Sequence, residues 1–171
     1  MANLPAPLLD GSHHDFVLEQ ALFNRHYDPI YDGERALRGF YLPPFQRPEV
    51  WTPFQKARFV ESLFLGTYAG VYVVTEWDWR AKGDRKPQSG WLIDGQQRLT
   101  ALDDFVEGRI AVFDGVRFAD LDPRQNRRFL TTPFPCITIP GNVPLESLRT
   151  LYDRLNYGGT PHTPVEPNST V

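Results

Sequence analysis

The sequence predicts a single α+β domain with a small mixed sheet and about four helices. Its 171 residues fit one domain and can bury a core without disulfides or metals. Several short, β-rich apolar segments are interleaved with helix patterns that begin at N-cap signals. These strands are too few and too short for a large doubly wound sheet. We expect an N-terminal arm at residues 1–37, a folded domain at 38–160 and a C-terminal tail at 161–171.

The first half of the domain predicts a strand, a helix and a second strand. Residues 39–42 are apolar and predict a short strand. The helix that follows begins after Thr52, a good N-cap, and Gln55 completes its capping box. Residues 70–75 predict a buried strand, whereas the polar residues 77–89 predict an exposed loop.

The second half repeats this alternation of short strands and capped helices. Its predicted elements, in chain order, are a strand at 90–93, a helix from Gln96, a hairpin around Asp114-Gly115, a capped helix after Asp122, a strand at 136–139 and a helix at 145–155. A glycine pair after the last helix predicts its end.

The composition narrows the classes of protein to which the chain can belong. The formal net charge of −3 provides no overall field that attracts nucleic acid or anionic membranes. Cys136 is the sole cysteine, so we expect a buried structural thiol and a cytoplasmic location. No apolar run approaches the roughly 20 residues that span a bilayer. The first ten residues lack a secretory signal, so we expect no membrane association.

The strongest motif is Asp94-Gly95-Gln96-Gln97-Arg98, where a predicted strand runs into a helix. N–H groups at a helix start lack intrahelical partners and, with the helix dipole, form an anion site. Gly95 permits close approach of a ligand, Gln96 and Gln97 can donate hydrogen bonds, and Arg98 offers a charged fork for phosphate. Asp94 would hold a divalent cation, orient water, or bind a ribose or base. Alternatively, Asp94 is only an N-cap and Gln97 its capping-box partner.

Two further segments offer polar groups at breaks between predicted elements. Gln46-Arg47 lies in a stiff, proline-flanked stretch and suits the second wall of an anion pocket, although a solvated arginine packed on an aromatic ring is an alternative. Asn156 and Thr160 flank Gly158-Gly159, which can also be a plain C-cap. Because no one segment can enclose a nucleotide, we expect the three to converge on one cleft.

Together, these motifs resemble the N-terminal domain of GmrSD-type modification-dependent restriction systems, in the ParB/sulfiredoxin-like superfamily. They are P-P-F-Q-R-P-E-V-W at 43–51, D-G-Q-Q-R-L-T-A-L at 94–102 and L-N-Y-G-G-T at 155–160, in the family's order. The resemblance implies a ParB/sulfiredoxin-like fold, nucleotide binding and, in several relatives, NTP hydrolysis that regulates DNA cleavage.

Carried over by position, the resemblance assigns roles to individual residues. It places Asp94, Gln96, Gln97 and Arg98 in the nucleotide motif, and from the chemistry of these residues we expect catalysis by Asp94, Gln97 and Arg98 and a Mg²⁺ ion at Asp94. The nucleotide-binding residues that it implies are Gln46, Arg47, Gly95, Gln96, Arg98, Asn156, Gly158, Gly159 and Thr160. The implied ligand or substrate is a nucleoside triphosphate, and further implied partners are DNA or a nuclease subunit.

Two departures from the family pattern limit what is expected. Full-length relatives carry a second nuclease domain of the His-Asn-His type, which this sequence does not include, so we expect no DNA cutting by this chain alone. The reactive cysteine of sulfiredoxins is replaced by Gln96-Gln97. Three functions stay open: a Mg-dependent NTP hydrolase (NTPase) linked to restriction, phage defence or counter-defence; a non-catalytic, nucleotide-gated module that binds protein or DNA; and a stand-alone ParB-like nuclease. A single motif carboxylate disfavours the last.

Overall fold

A computed structural model describes residues 7–23, 29, 31–82 and 84–157 of the chain. The elements in order are β1 (Ser12–His14), α1 (Leu18–Leu22), β2 (Arg35–Leu37), β3 (Phe40–Leu42), α2 (Pro53–Phe64), β4 (Tyr72–Thr75), β5 (Leu92–Asp94), α3 (Gln96–Val106), α4 (Pro123–Leu130), β6 (Cys136–Ile139) and α5 (Leu145–Tyr157). Five α-helices and short mixed strands in the described residues confirm the predicted α+β class.

A four-stranded mixed sheet supports the rest of the structure, in the order β1-β6-β4-β5. Strand β4 lies inside the sheet, parallel to β6 and antiparallel to β5. Strands β2 and β3 form a separate hairpin, which contacts the sheet region through a bridge between Tyr41 and Trp91. Strand β5 pairs Asp94 with Val73 of β4, so the chain leaves the sheet beside an interior strand.

Helices cover both faces of the sheet. Successive strand residues point to opposite faces, so strand β4 contributes to two core clusters. Tyr72 and Val74 of β4 join the larger core cluster, which includes the buried faces of α1 and α3. Val73 joins the smaller cluster, to which α5 contributes Leu148 and Leu151. The start of α3 and the end of α5 are thereby held beside the same strand region.

Two predicted capped helices are confirmed. At α2, Thr52 Oγ1 accepts a hydrogen bond from Gln55 N at 3.3 Å, and Gln55 Oε1 accepts one from Thr52 N at 2.9 Å. At α4, Asp122 and Gln125 form the same reciprocal pair. Both are local patterns, in which cap and partner lie three residues apart.

The predicted hairpin around Asp114-Gly115 is reduced to a single antiparallel pair, so the reversal is present and the flanking strands are not. The flanking residues form one isolated bridge, between Val112 and Val116, and no paired strands. The chain then enters a short 3₁₀ turn at Phe118–Asp120, and the Phe118 ring packs edge-on against Phe105. The partly buried ring packs against the core, and no ladder continues beyond the Val112–Val116 bridge in the described residues.

The prediction of an exposed loop over residues 77–89 is wrong at its centre. Arg85 is only 2% exposed and forms a buried ion pair with Glu34. Its guanidinium carbon lies 3.7 Å from the centre of the Tyr41 ring, and Nη1 donates to the Ser89 carbonyl at 2.7 Å. The arginine thus ties the loop to the segment before β2, a partner 51 positions away that local patterns do not reveal.

Strand β1 and helix α1 were not predicted. Both lie in the part of the sequence read as an N-terminal arm. Strand β1 pairs antiparallel with β6, and α1 buries Leu18, Ala21 and Leu22 completely. The five-residue helix is too short for a clear helical period, and its N-cap, Val17, provides no side-chain hydrogen bond.

Candidate functional site

The turn between β5 and α3 leaves the start of α3 without a side-chain cap. Gly95 is the N-cap, and its carbonyl accepts the first intrahelical hydrogen bond, from Leu99 N at 2.9 Å. The N–H groups of Gln96, Gln97 and Arg98 precede that bond, as expected for the first turn of a helix. The alternative in which Asp94 is the N-cap with Gln97 as its partner is therefore wrong.

Gly95 is required by the local backbone. Its φ of 107° is the left-handed region that glycine adopts without strain. A Cβ there would lie 2.8 Å from the Cβ of Tyr72. The absent side chain therefore allows α3 to begin close against β4, and the Cβ direction points to that strand.

Arg98 is held beside Asp94. Nη2 of Arg98 donates to Oδ2 of Asp94 at 2.7 Å, and Nη1 donates to the Ala69 carbonyl at 3.3 Å. A Cβ on Gly70 would collide with the Arg98 guanidinium, so this glycine makes room for the arginine. The side chains of Arg98 and Asp94 are 20% and 27% exposed, which keeps both accessible from the solvent side.

Gln97 joins α3 to the segment before α2. Its Oε1 accepts hydrogen bonds from Val50 N at 3.0 Å and Trp51 N at 3.1 Å. Those two donors identify the oxygen, so the other end of the amide is the NH₂ group. Nε2 is buried and has no hydrogen-bond partner in the described structure. An unpaired buried donor is costly, so Nε2 would gain from an acceptor.

Gln46 and Arg47 lie in the segment between β3 and α2. Gln46 is 6% exposed, and its Oε1 is buried without a hydrogen-bond partner among the described residues. The backbone of this segment is fixed: Arg47 N donates to the Tyr152 hydroxyl at 3.0 Å, and Arg35 Nη2 donates to the Gln46 carbonyl at 3.0 Å. The Phe45 ring packs edge-on against Tyr152, which attaches the segment to α5.

The third predicted segment is described only in part. Asn156, near the end of α5, donates a hydrogen bond from Nδ2 to the Tyr152 carbonyl at 2.9 Å. Gly158, Gly159 and Thr160 lie outside the described residues. Their proposed contacts with a nucleotide stay predictions.

The three segments described above line one open, polar cleft of about 170 Å³. Its lining residues are Gln46, Arg47, Trp51, Asp94, Gly95, Gln96, Gln97, Arg98 and Asn156. The three predicted segments therefore converge, and their roles in binding and catalysis remain predictions. Trp51 is the lining residue not singled out for the site, and its position at the end of the first motif was the available signal.

The charges around the cleft favour an anion. Two arginines line it, and Asp94 is the one carboxylate among its lining residues. The uncapped start of α3 adds the positive end of the helix dipole. No group of three or more His, Cys, Asp or Glu side chains in the described residues could hold a metal ion by itself.

A larger cavity, of about 490 Å³, lies on the α1 side of the sheet and contains none of the predicted site residues. Aromatic rings such as Phe16, Phe40 and Trp77 line it, and its described lining includes no charged side chain. Cys136 also lines it, and burial raises the pKa of that thiol, as expected of a structural cysteine. The described lining of this cavity therefore offers a phosphate no charged partner.

Comparison with known families identifies the chain. The family model described as the N-terminal domain of the GmrSD restriction endonuclease matches residues 28–133, more than half of the sequence. No curated protein and no solved structure matches significantly, so the ParB/sulfiredoxin-like assignment is compatible with the fold and stays a prediction. No helix in the described part of the chain is both long and apolar enough to cross a membrane. The chain belongs to the GmrSD restriction endonuclease N-terminal domain family, and this membership associates it with restriction systems.

Proposed function

We propose that the chain is a nucleotide-binding domain that holds the phosphates of a nucleoside triphosphate in the cleft and hydrolyses it with Mg²⁺. The observation that carries this proposal is the NH₂ end of the Gln97 side chain, whose Nε2 has no partner among the described residues and lies beside the uncapped start of α3. A phosphate oxygen is an acceptor only. It therefore complements both the NH₂ end of Gln97 and the backbone N–H groups in the first turn of α3.

The size of the cleft indicates which part of the ligand it would hold. Pockets that enclose whole drug-sized ligands measure about 300–1,000 Å³, whereas this cleft measures about 170 Å³. The phosphates would therefore occupy the cleft, with the nucleoside at its rim. Trp51 and Asn156 line the cleft, and their side chains are able to contact a base or ribose by stacking and by hydrogen bonding, respectively.

Asp94 fits a supporting role toward Mg²⁺. Mg²⁺ commonly uses one or two carboxylates together with substrate phosphates, and Asp94 supplies one carboxylate at the cleft. A bound Mg²⁺ would neutralise charge on the phosphate oxygens. Arg98 positions the Asp94 carboxylate through the 2.7 Å ion pair and would neutralise phosphate charge with its remaining N–H groups. Arg47, which also lines the cleft, would neutralise phosphate charge from the segment between β3 and α2.

A non-catalytic, nucleotide-gated module is the second candidate, because the Asp94 carboxylate is already committed to Arg98. A site that only binds phosphate needs no free carboxylate. The loop at 77–89 is a poor gate in this function, since Arg85 is anchored in the buried ion pair with Glu34.

The test is a titration of the chain with ATP, GTP, CTP and UTP, with and without Mg²⁺, together with phosphate release. We expect saturable binding of a triphosphate and release that requires Mg²⁺. Asp94→Asn keeps size and polarity, so binding should persist while release is lost. Binding without release by the unmodified chain selects the non-catalytic module. Absence of binding for every triphosphate refutes both.

A further inference from the structure

Gln46 places a buried hydrogen-bond acceptor in the cleft. Its side chain lines the cleft, the residue is 6% exposed, and Oε1 has no hydrogen-bond partner among the described residues. A buried acceptor without a partner costs free energy, so Oε1 would gain from a donor. The oxygens of a bound triphosphate only accept hydrogen bonds. The phosphates proposed for this cleft therefore complement Gln97 Nε2 and leave Gln46 Oε1 without a partner.

Backbone contacts hold Gln46 in position. Its N–H donates to the Pro43 carbonyl at 3.0 Å, and its carbonyl accepts a hydrogen bond from Arg35 Nη2 at 3.0 Å. The preceding ring, Phe45, packs edge-on against Tyr152 of α5. A side chain on a fixed backbone, with an oxygen that no described residue engages, suits a group that orients a small molecule beside the phosphates.

The size of the cleft limits which donor can reach Gln46. Its volume is about 170 Å³, whereas pockets that enclose whole drug-sized ligands measure about 300–1,000 Å³. The base and ribose, which carry donors of their own, would therefore lie outside the cleft. Water is small enough to enter beside the phosphates, donates two hydrogen bonds, and is itself a reactant in the proposed hydrolysis.

The other groups that could orient a water molecule in the cleft are already engaged. Asp94 is the one carboxylate among the described lining residues, and its Oδ2 accepts a hydrogen bond from Arg98 Nη2 at 2.7 Å. The proposed hydrolysis also assigns Asp94 to Mg²⁺. Gln97 Oε1 accepts hydrogen bonds from two backbone N–H groups. Gln46 Oε1 is the one side-chain amide oxygen in the described residues that is both buried and without a partner.

We propose that Gln46 orients the water that attacks the terminal phosphate of the triphosphate, a role that rests on the proposed function. Oε1 accepts a hydrogen bond from this water and thereby directs the water oxygen at phosphorus. A bond forms between that oxygen and the terminal phosphorus as the bond from this phosphorus to the bridging oxygen breaks. The electron pair of the broken bond leaves with the nucleoside diphosphate, and the water protons leave with inorganic phosphate. Orientation needs no proton abstraction by the protein, so an uncharged amide suffices.

The test measures Mg²⁺-dependent phosphate release and triphosphate affinity in Gln46→Met. Methionine keeps an unbranched side chain and removes both polar ends of the amide. Because Oε1 has no partner, its removal should not lower the thermal midpoint, whereas the loss of a structural hydrogen bond would. Gln125→Met is the matched control, since Gln125 is an exposed capping residue of α4 outside the cleft. Gln46→Leu serves if Gln46→Met does not fold.

We expect kcat for phosphate release to fall at least about tenfold in Gln46→Met, because a misplacement of about 1 Å can cost about 10²-fold in rate. Triphosphate affinity and the Mg²⁺ concentration for half-maximal release should stay close to those of the unmodified chain. The control should release phosphate normally. A nucleoside diphosphate with Mg²⁺ and aluminium fluoride imitates the transition state, with a water in the attacking position. The unmodified chain should bind this complex more tightly than the diphosphate alone, and Gln46→Met should lose that gain.

Separate results would contradict this role and the proposed function. Phosphate release at the normal rate by Gln46→Met would overturn the role of Gln46 and leave hydrolysis intact. A loss of triphosphate affinity as large as the loss of kcat would assign Gln46 to binding, and a raised Mg²⁺ requirement would assign it to a metal-bound water; either result overturns the proposal. A lower thermal midpoint in both Gln46 variants would assign the residue to the fold and overturn it also. Absence of release by the unmodified chain refutes hydrolysis itself, and this role with it, before any variant is made.

Discussion

The two ends of the Gln97 amide can be tested separately, because Oε1 is paired with backbone N–H groups and Nε2 has no partner among the described residues. In Gln97→Glu, a carboxylate oxygen still accepts the hydrogen bonds from Val50 N and Trp51 N, at 3.0 and 3.1 Å in the parent structure. The change replaces the unpaired NH₂ group with an acceptor. A carboxylate in the first turn of α3 also favours the helix dipole, so the fold should be retained.

The magnitude follows from the lost contact. A hydrogen bond to a charged group contributes about 1.5–3 kcal/mol, and about 1.4 kcal/mol corresponds to tenfold in affinity. Gln97→Glu should therefore weaken triphosphate binding by at least about tenfold, and repulsion between the carboxylate and phosphate increases the loss. Because the new oxygen is charged and replaces a buried atom, a lower thermal midpoint is expected, and affinity is compared at a temperature at which both proteins are folded.

The assay is isothermal titration of both proteins with one triphosphate, accompanied by thermal unfolding. Gln55→Glu is the matched control, because Gln55 is another helix first-turn glutamine whose Oε1 accepts a backbone N–H, at 2.9 Å from Thr52 N. The control introduces the same charge outside the cleft and should bind normally. Equal affinity in Gln97→Glu and Gln55→Glu would refute the role of Gln97 as a phosphate donor.

Three further predictions follow from the same contacts. Arg98→Ala should weaken triphosphate binding by about ten- to a hundredfold in calorimetry, since it removes a charged donor and leaves Asp94 without its partner. Gly95→Ala should lower the free energy of unfolding by about 1–3 kcal/mol in urea, because of the positive φ and the contact with Tyr72. Burial opposes ionisation of Asp104, but bonds from Lys56 and Arg109 outweigh it and hold the pKa of Asp104 below its ordinary value. The stability from this carboxylate is present above the unfolded-state pKa of about 3.9 and is lost as the pH falls through the lower folded-state pKa, so Asp104→Asn should flatten the acid limb of a pH–stability profile.

Local patterns in the sequence predicted those parts of the fold that depend on near neighbours. The caps at Thr52 and Asp122 were correct because each capping box spans three residues. Strand β4 was recognisable because its residues, Tyr-Val-Val-Thr, all favour strands, and every one of them is buried. The cleft was predicted as a meeting of three segments, two of which lie 46 or more positions apart and are joined by Gln97.

The remaining features depend on contacts that no local pattern records. Gly95 became the N-cap in place of Asp94 because the Asp94 carboxylate pairs with Arg98 and the chain packs against β4. The buried pair of Glu34 and Arg85 joins residues 51 positions apart. The polar composition of residues 77–89 therefore predicted an exposed loop and gave no sign that Arg85 is buried. Strand β1 forms only by pairing with β6, which is far along the chain.

The account depends on phosphate reaching the NH₂ end of the Gln97 side chain, and side-chain NH₂ resonances in NMR observe that group directly. On addition of a Mg–triphosphate complex, we predict saturable shifts of the Gln97 NH₂ signals and of the backbone amides from Gln96 to Arg98. The NH₂ signals of Gln55, which lies outside the cleft, should not move. Unchanged Gln97 and Gln96–Arg98 signals under saturating triphosphate, or shifts confined to residues around the larger cavity, would contradict the account.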